Sequence, residues 1–100
     1  MENLRIGFIG LGNVGGKLAG NLLNNGADLT VRDLAPELVA EFVARGAKSA
    51  ASPKEMIENC DVVITCLPSP AASAAVLEAD DGIIAGMSPG KVWIEMSTTD

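Results

Sequence analysis

Two hydrophobic periods take turns along the chain. Leu4, Ile6, Phe8 and Ile9 form a short apolar run that predicts a strand, and from about Asn13 to Asn25 the spacing changes. There Val14, Leu18, Ala19, Leu22 and Leu23 recur at helical intervals, and Asn24-Asn25-Gly26 supplies a left-handed stop. Leu29 to Arg32 predicts a second strand. Ala35-Pro36-Glu37 opens a second helix with proline in its first turn; Leu38, Val39, Phe42 and Val43 make its apolar stripe, and Gly46 ends it. Ala47 to Ala50 predicts a short strand, and Ser52-Pro53 a short helix to about Asn59 with Ser52 as its N-cap. Val62, Val63, Ile64, Cys66 and Leu67 form a nearly continuous apolar run, the pattern of a strand covered on both faces. Ala71 to Glu78 is helical in pattern, Ile83 to Gly86 adds a turn, and Val92 to Glu95 is the last strand.

Strands that alternate with helices imply βαβ units, right-handed crossovers and a mostly parallel sheet. The expected fold class is α/β: a Rossmann-type doubly wound parallel sheet of about five strands, truncated after the fifth. The last strand stops five residues before Asp100 with no helix after it to cover its face. Residues 1–100 are therefore expected to be one incomplete domain, a piece of a longer protein, or a chain whose open face a second chain covers, as in a homo-oligomer.

Length and charge narrow the classes. One hundred residues bury about 64% of their unfolded surface, enough for a single core. Seven basic against thirteen acidic residues give a net charge of −6, which argues against nucleic acid as a partner. The longest uncharged run, Val62 to Leu77, spans 16 residues and holds two prolines, so no membrane span is expected. The amino terminus lacks a signal-peptide layout, and a cytoplasmic location is the expectation. The chain has no histidine and no tyrosine, which removes histidine bases, histidine metal sites and tyrosine-dependent hydride chemistry within these residues. Cys60 and Cys66 fit no C-x-x-C spacing and suit reduced, buried thiols; no metal site is expected.

Four features carry chemistry. Gly10-Leu11-Gly12-Asn13-Val14-Gly15 matches G-x-G-x-x-G, directly after a strand and directly opening a helix. In that setting Gly10 permits the tight turn, Gly12 admits a pyrophosphate and Gly15 lets helix and strand pack; the free helix amides then bind the phosphates. Asp33, 18 residues after Gly15, ends the second strand where an acid accepts hydrogen bonds from the adenosine ribose, although a turn acid capping the next helix has the same position. Cys66-Leu67-Pro68-Ser69-Pro70 is either a rigid loop edge walling a nucleotide or a plain strand-ending turn. Ser97-Thr98-Thr99-Asp100 places hydroxyls past the last strand, to meet a ligand or to cap a helix. All four follow the carboxyl ends of parallel strands, the edge at which open α/β sheets bind ligands.

With those residues in place, the whole chain resembles the β-hydroxyacid dehydrogenase family, which includes 3-hydroxyisobutyrate dehydrogenase, tartronate semialdehyde reductase, glyoxylate reductase and 6-phosphogluconate dehydrogenase. IGFIGLGNVGGKLAGNLLNNG is similar to the family's opening signature, CLPSP to its strand-end leucine-proline, and DGIIAGMSPGKVWIEMSTTD to the segment ending in D-x-S-T. Val14 and Leu18 stand where the family usually has methionine, and Glu95 where it has aspartate. The resemblance implies that residues 1–100 are the amino-terminal dinucleotide-binding (Rossmann) domain of a two-domain protein, without its all-helical second domain, and that the whole carries out reversible hydride transfer between a nicotinamide cofactor and a small hydroxyacid substrate. It implies dinucleotide contacts from Gly10 to Val14, Leu67, Pro68 and Thr98, with Ser97 near nicotinamide and substrate. The family's catalytic lysine matches none of Lys17, Lys48, Lys54 or Lys91, so no catalytic residue is expected within the chain, which alone would be inactive. Asp33 favours NAD, since a carboxylate repels a 2′-phosphate; Leu34 stands where NADP-preferring relatives place arginine, whereas a guanidinium from Arg32 would make NADP possible. Imine reductases share the opening motif, and a non-catalytic nucleotide-sensing module is the rival from another class.

Overall fold

A computed structural model of the chain describes residues 4–67 and 70–96. The elements follow in the order β1 (Arg5–Ile9), α1 (Asn13–Asn24), β2 (Asp28–Arg32), α2 (Pro36–Ala44), β3 (Lys48–Ser49), α3 (Pro53–Asn59), β4 (Val62–Thr65), α4 (Pro70–Glu78), α5 (Ile83–Gly86) and β5 (Val92–Glu95). The five strands form one parallel sheet in the order β3-β2-β1-β4-β5, so the chain works outward from β1 on one side and then returns to β1's other side with β4.

Side chains of β1 alternate between two cores. Phe8 packs with Ala19 of α1, Leu29 and Val31 of β2 and Phe42 of α2 on one face. Ile9 packs on the other face with Met56 and Ile57 of α3, Val63 of β4 and Ile83 of α5. Gly7 is a glycine inside a strand for a steric reason: a Cβ there would lie 2.5 Å from the Met56 side chain. Its absence lets α3 settle directly on the sheet.

The continuous apolar run of β4 predicts cover on both faces, and here the structure differs. Val63 is fully buried, but Val62 and Ile64 are only half-buried. Their register partners on β5, Val92 and Ile94, are 48% and 42% exposed. The core on that face is built by α1 and α2 against β1 and β2, which leaves the β4–β5 half of the face open. The strand expected over Ala47 to Ala50 shrinks to Lys48–Ser49, with the ladder to β2 ending at Val31↔Ser49.

The amino ends of the strands are tied by side chains. Arg5 donates from its backbone N–H (2.9 Å) and from its guanidinium (3.1 Å) to the Asp61 carboxylate. Those bonds hold the Asp61 carboxyl at a pKa of about 2, against an ordinary 3.8. Lys91 Nζ donates to the carbonyl of Cys60 at 2.7 Å, just past the end of α3. Among the described residues, no helix is long and apolar enough to cross a membrane.

Candidate functional site

The ligand edge begins where β1 runs into α1. Gly10 has a φ of +102°, and its N–H donates to the Arg32 carbonyl at 3.0 Å. A Cβ on Gly10 would strike the Cys66 carbonyl, and one on Gly15 would strike the Gly10 carbonyl. These two glycines serve the fold: Gly10 lets the chain pass between the ends of β2 and β4 in a left-handed conformation, and Gly15 lets the first turns of α1 lie against the Gly10 carbonyl. Gly12 is different. Its φ is −70°, and no described residue lies within 4 Å of where its Cβ would be. No described neighbour requires glycine there; what its bare Cα preserves is open space.

That space fronts the amino end of α1. Gly12 is the N-cap and offers no side-chain acceptor, and the first turn of the helix carries no acid. The first-turn amides have no acceptor within the helix and carry its partial positive charge. A cleft of about 650 Å³ opens before them, with Gly10, Gly12, Val14 and Gly15 on one wall, Asp33 and Leu34 at the β2 end, and Leu67 and Met96 at the β4–β5 end.

Arg32 and Asp33 diverge. Asp33 Oδ2 accepts from the Leu11 amide at 2.6 Å and Oδ1 from the Ala35 amide at 2.8 Å, so the carboxylate joins the glycine turn to the start of α2. The expected turn acid is thus present, bonded ahead of α2 and not capping it, and the same side chain lines the cleft where a ribose acceptor was expected. Arg32 turns to the opposite sheet face and donates from Nη1 to the carbonyls of Ala50 (3.1 Å) and Ala51 (2.8 Å). Leu34 is 97% exposed on the cleft rim and Val14 61% exposed beside the glycine turn.

The structure therefore gathers Gly10, Gly12, Val14, Gly15, Arg32, Asp33 and Leu67 around one cleft. Asn13 opens α1. The side chain of Leu11 goes into the core, leaving its backbone at the site. Pro68, Ser97 and Thr98 lie outside the described residues. Pattern reading assigned Leu38 to the helical stripe and passed over Pro53, Ala72, Asp81 and Met96, all of which line the cleft. Only Met96 carried a signal, as the neighbour of Ser97.

Chemically the cleft offers amide donors for an anion, a carboxylate for hydroxyls, and apolar walls for planar rings. Among its described lining residues there is no lysine or histidine to move a proton. The arrangement suits the parts of a nucleotide.

Comparison with known proteins agrees. The sequence profile of the NAD-binding domain of 6-phosphogluconate dehydrogenase matches residues 5–100. The chain belongs to that family. It is thus an NAD-binding domain of the hydroxyacid dehydrogenase group. It is 39% identical over 95 residues to mouse mitochondrial 3-hydroxyisobutyrate dehydrogenase, covering 95% of this chain and 28% of that protein. It is 36% identical over 96 residues to the zebrafish cytokine-like nuclear factor N-PAC, covering 96% of this chain and 21% of the relative. The solved structure of a 3-hydroxyisobutyrate dehydrogenase from Salmonella typhimurium superposes with a TM-score of 0.86 at 30% identity, over 98% of this chain and 34% of that one. The chain spans about a fifth to a third of the length of these proteins.

Proposed function

We propose that the chain is the amino-terminal cofactor domain of a two-domain oxidoreductase that moves a hydride between NAD and a small β-hydroxyacid or its aldehyde form, such as 3-hydroxyisobutyrate or tartronate semialdehyde. The observation that carries the reading is the open space at Gly12 before an uncapped helix. The pyrophosphate occupies that space and takes the free amides of α1 as donors. Asp33 has lone pairs beyond the two that Leu11 and Ala35 occupy, and these accept from the adenosine ribose. Leu34 and Val14 supply apolar surface that a bound nucleotide removes from water. Bound nicotinamide supplies the hydride acceptor or donor. Leu67 and Pro68, and Thr98 past β5, complete the cofactor contacts, with Ser97 on the substrate side. A lysine outside residues 1–100 moves the proton, so the chain alone binds cofactor without turnover.

Preference for NAD over NADP follows from the same geometry. The Asp33 carboxylate faces the cleft, whereas the Arg32 guanidinium is spent on Ala50 and Ala51 and does not neutralise it. Dissociation constants for NADH and NADPH, taken at one ionic strength, test this. Tighter NADH is expected; equal or tighter NADPH overturns the preference, and hydroxyacid turnover by the 100-residue chain overturns the division of labour.

A second reading has one observation in its favour. The zebrafish relative is named a nuclear factor and not a dehydrogenase, which suits a non-catalytic nucleotide-sensing module. A glycine-rich segment and a lysine downstream favour the enzyme; their absence favours the sensor. The free thiols of Cys60 and Cys66 suit a reducing compartment, and the cytoplasm is the proposed location.

A further inference from the structure

Resting on the reading of the cleft as a dinucleotide site, we infer that Arg32 is a positioning residue for the adenosine end, acting through the β3–α3 turn and not by touching the cofactor. The argument starts from the shortness of β3. Its ladder to β2 pairs only Thr30 with Lys48 and Val31 with Ser49, and then stops. Past that point the backbone of Ala50 and Ala51 has no strand partner. The Arg32 side chain takes over: one nitrogen, Nη1, donates to both the Ala50 and Ala51 carbonyls, continuing by side chain the pairing that the backbone has ended. Charge-assisted donors of this kind are stronger than neutral ones.

The same peptide is gripped from its other side. Glu55 Oε1 accepts from the Ala51 amide at 2.7 Å, and the Glu55 amide donates to Ser52 Oγ at 3.1 Å. Ala51 is thereby clamped between β2 and α3, two residues before Pro53, which is buried and forms part of the cleft wall. Arg32 also borders a smaller hollow of about 380 Å³ that Val39 and Val43 of α2 help to line. Arg32 and Asp33 line both that hollow and the cleft. Without Arg32, the wall at the adenosine end loses the tie that sets its distance from Asp33. Leu67 and Met96 line the cleft at its other end, past β4 and β5.

The test is a backbone-amide NMR titration of the chain and its Arg32→Ala and Arg32→Lys variants with AMP, nicotinamide mononucleotide and 2′,5′-ADP. Arg32→Ala weakens AMP about ten-fold, the scale of losing a preorganised wall, and changes nicotinamide mononucleotide less than two-fold. Arg32→Lys, which keeps a charged donor for the same carbonyls, recovers most of the AMP affinity. Unchanged AMP affinity in Arg32→Ala overturns the inference, as does an equal loss for both mononucleotides, which marks a general structural role. A loss for 2′,5′-ADP much larger than for AMP also overturns it, because Arg32 then reads a phosphate directly. A parent chain that binds neither mononucleotide overturns the dinucleotide reading itself, and the inference with it.

Discussion

Two helices start at the carboxyl edge of the sheet, and their amino ends are built in opposite ways. α3 is closed: Ser52 Oγ accepts from the Glu55 amide, Glu55 accepts from the Ala51 amide, and Pro53 removes one donor altogether. α1 is open: Gly12 supplies no side-chain acceptor and no acid stands in the first turn. Both ends present the same orphan amides. At α3 the protein satisfies them from within, the Lys54 amide donating to the Asp81 carbonyl and the Glu55 amide to Ser52, so none is left for a ligand. At α1 it leaves them for a ligand, and adds a residue without a side chain so that the ligand can come close. The contrast separates binding from stability in two neighbouring stretches of backbone.

The strongest attempt to break the contrast is Gly12→Val. The side chain enters empty space at an ordinary φ, so the melting temperature should stay within about 2 °C. NADH binding should weaken on the order of 100-fold, about 2.7 kcal/mol, because the pyrophosphate can no longer reach the amides. Isothermal titration beside a thermal melt decides it, and unchanged NADH affinity sinks the claim that the open end is functional.

Next in size is Asp33→Ala, which probes the acid that ties the open end to α2. A carboxylate about 4 Å from a 2′-phosphate repels it by roughly 1 kcal/mol in water and about 4 kcal/mol at an effective dielectric of 20. The parent should therefore discriminate against NADPH by a few-fold to a few-hundred-fold, and the variant should narrow that ratio. A ratio that does not move assigns the preference to another residue.

Ser52→Ala tests the closed end. Loss of the cap costs about 1 kcal/mol and lowers the melting temperature by about 4–8 °C, while the NADH dissociation constant changes less than two-fold, because Arg32 and the Glu55 carboxylate still hold Ala51. A larger loss of affinity than of stability would erase the distinction between the two helices.

The smallest effect belongs to the opposite edge of the sheet, at the Arg5–Asp61 ion pair. Arg5 lowers the Asp61 pKa to about 2, so the stabilisation is present above about pH 4 and is lost as the pH falls toward 2. Asp61→Asn should flatten the decline in melting temperature between pH 4 and pH 2 and leave NADH binding at pH 7 unchanged. An identical acid profile in parent and variant removes this pair from the account of stability.

Much of the architecture is visible in the residues alone, because each element is announced locally. Pro36 and Pro53 mark helix starts, Gly26 and Gly46 mark stops, and the G-x-G-x-x-G run lies where a strand meets a helix. Contacts between residues distant in sequence are a different matter. Nothing in a string of letters says that Arg32 reaches Ala50, that Asp33 holds Leu11, or that Gly7 is bare to admit Met56. The half-covered face of β4 also escapes pattern reading: an apolar run reports how much surface wants cover, whereas the placement of α1 and α2 decides how much receives it.

The return of the chain to β1 has a consequence in time. Ile6 pairs with Leu29, 23 positions on, and also with Val62, 56 positions on. The first pairing closes a modest loop; the second must close one more than twice as long, and long-range pairings of this kind are the slow ones. The two walls of the cleft come from the two sides of that return, the glycine turn and Asp33 from the early strands, Leu67 from the end of the late one. The half that contains β1, α1 and β2 has the phosphate loop but no opposite wall. Cofactor affinity is then a reporter of the last long-range event in folding, and cofactor added during refolding should slow escape from the native state far more than it hastens arrival.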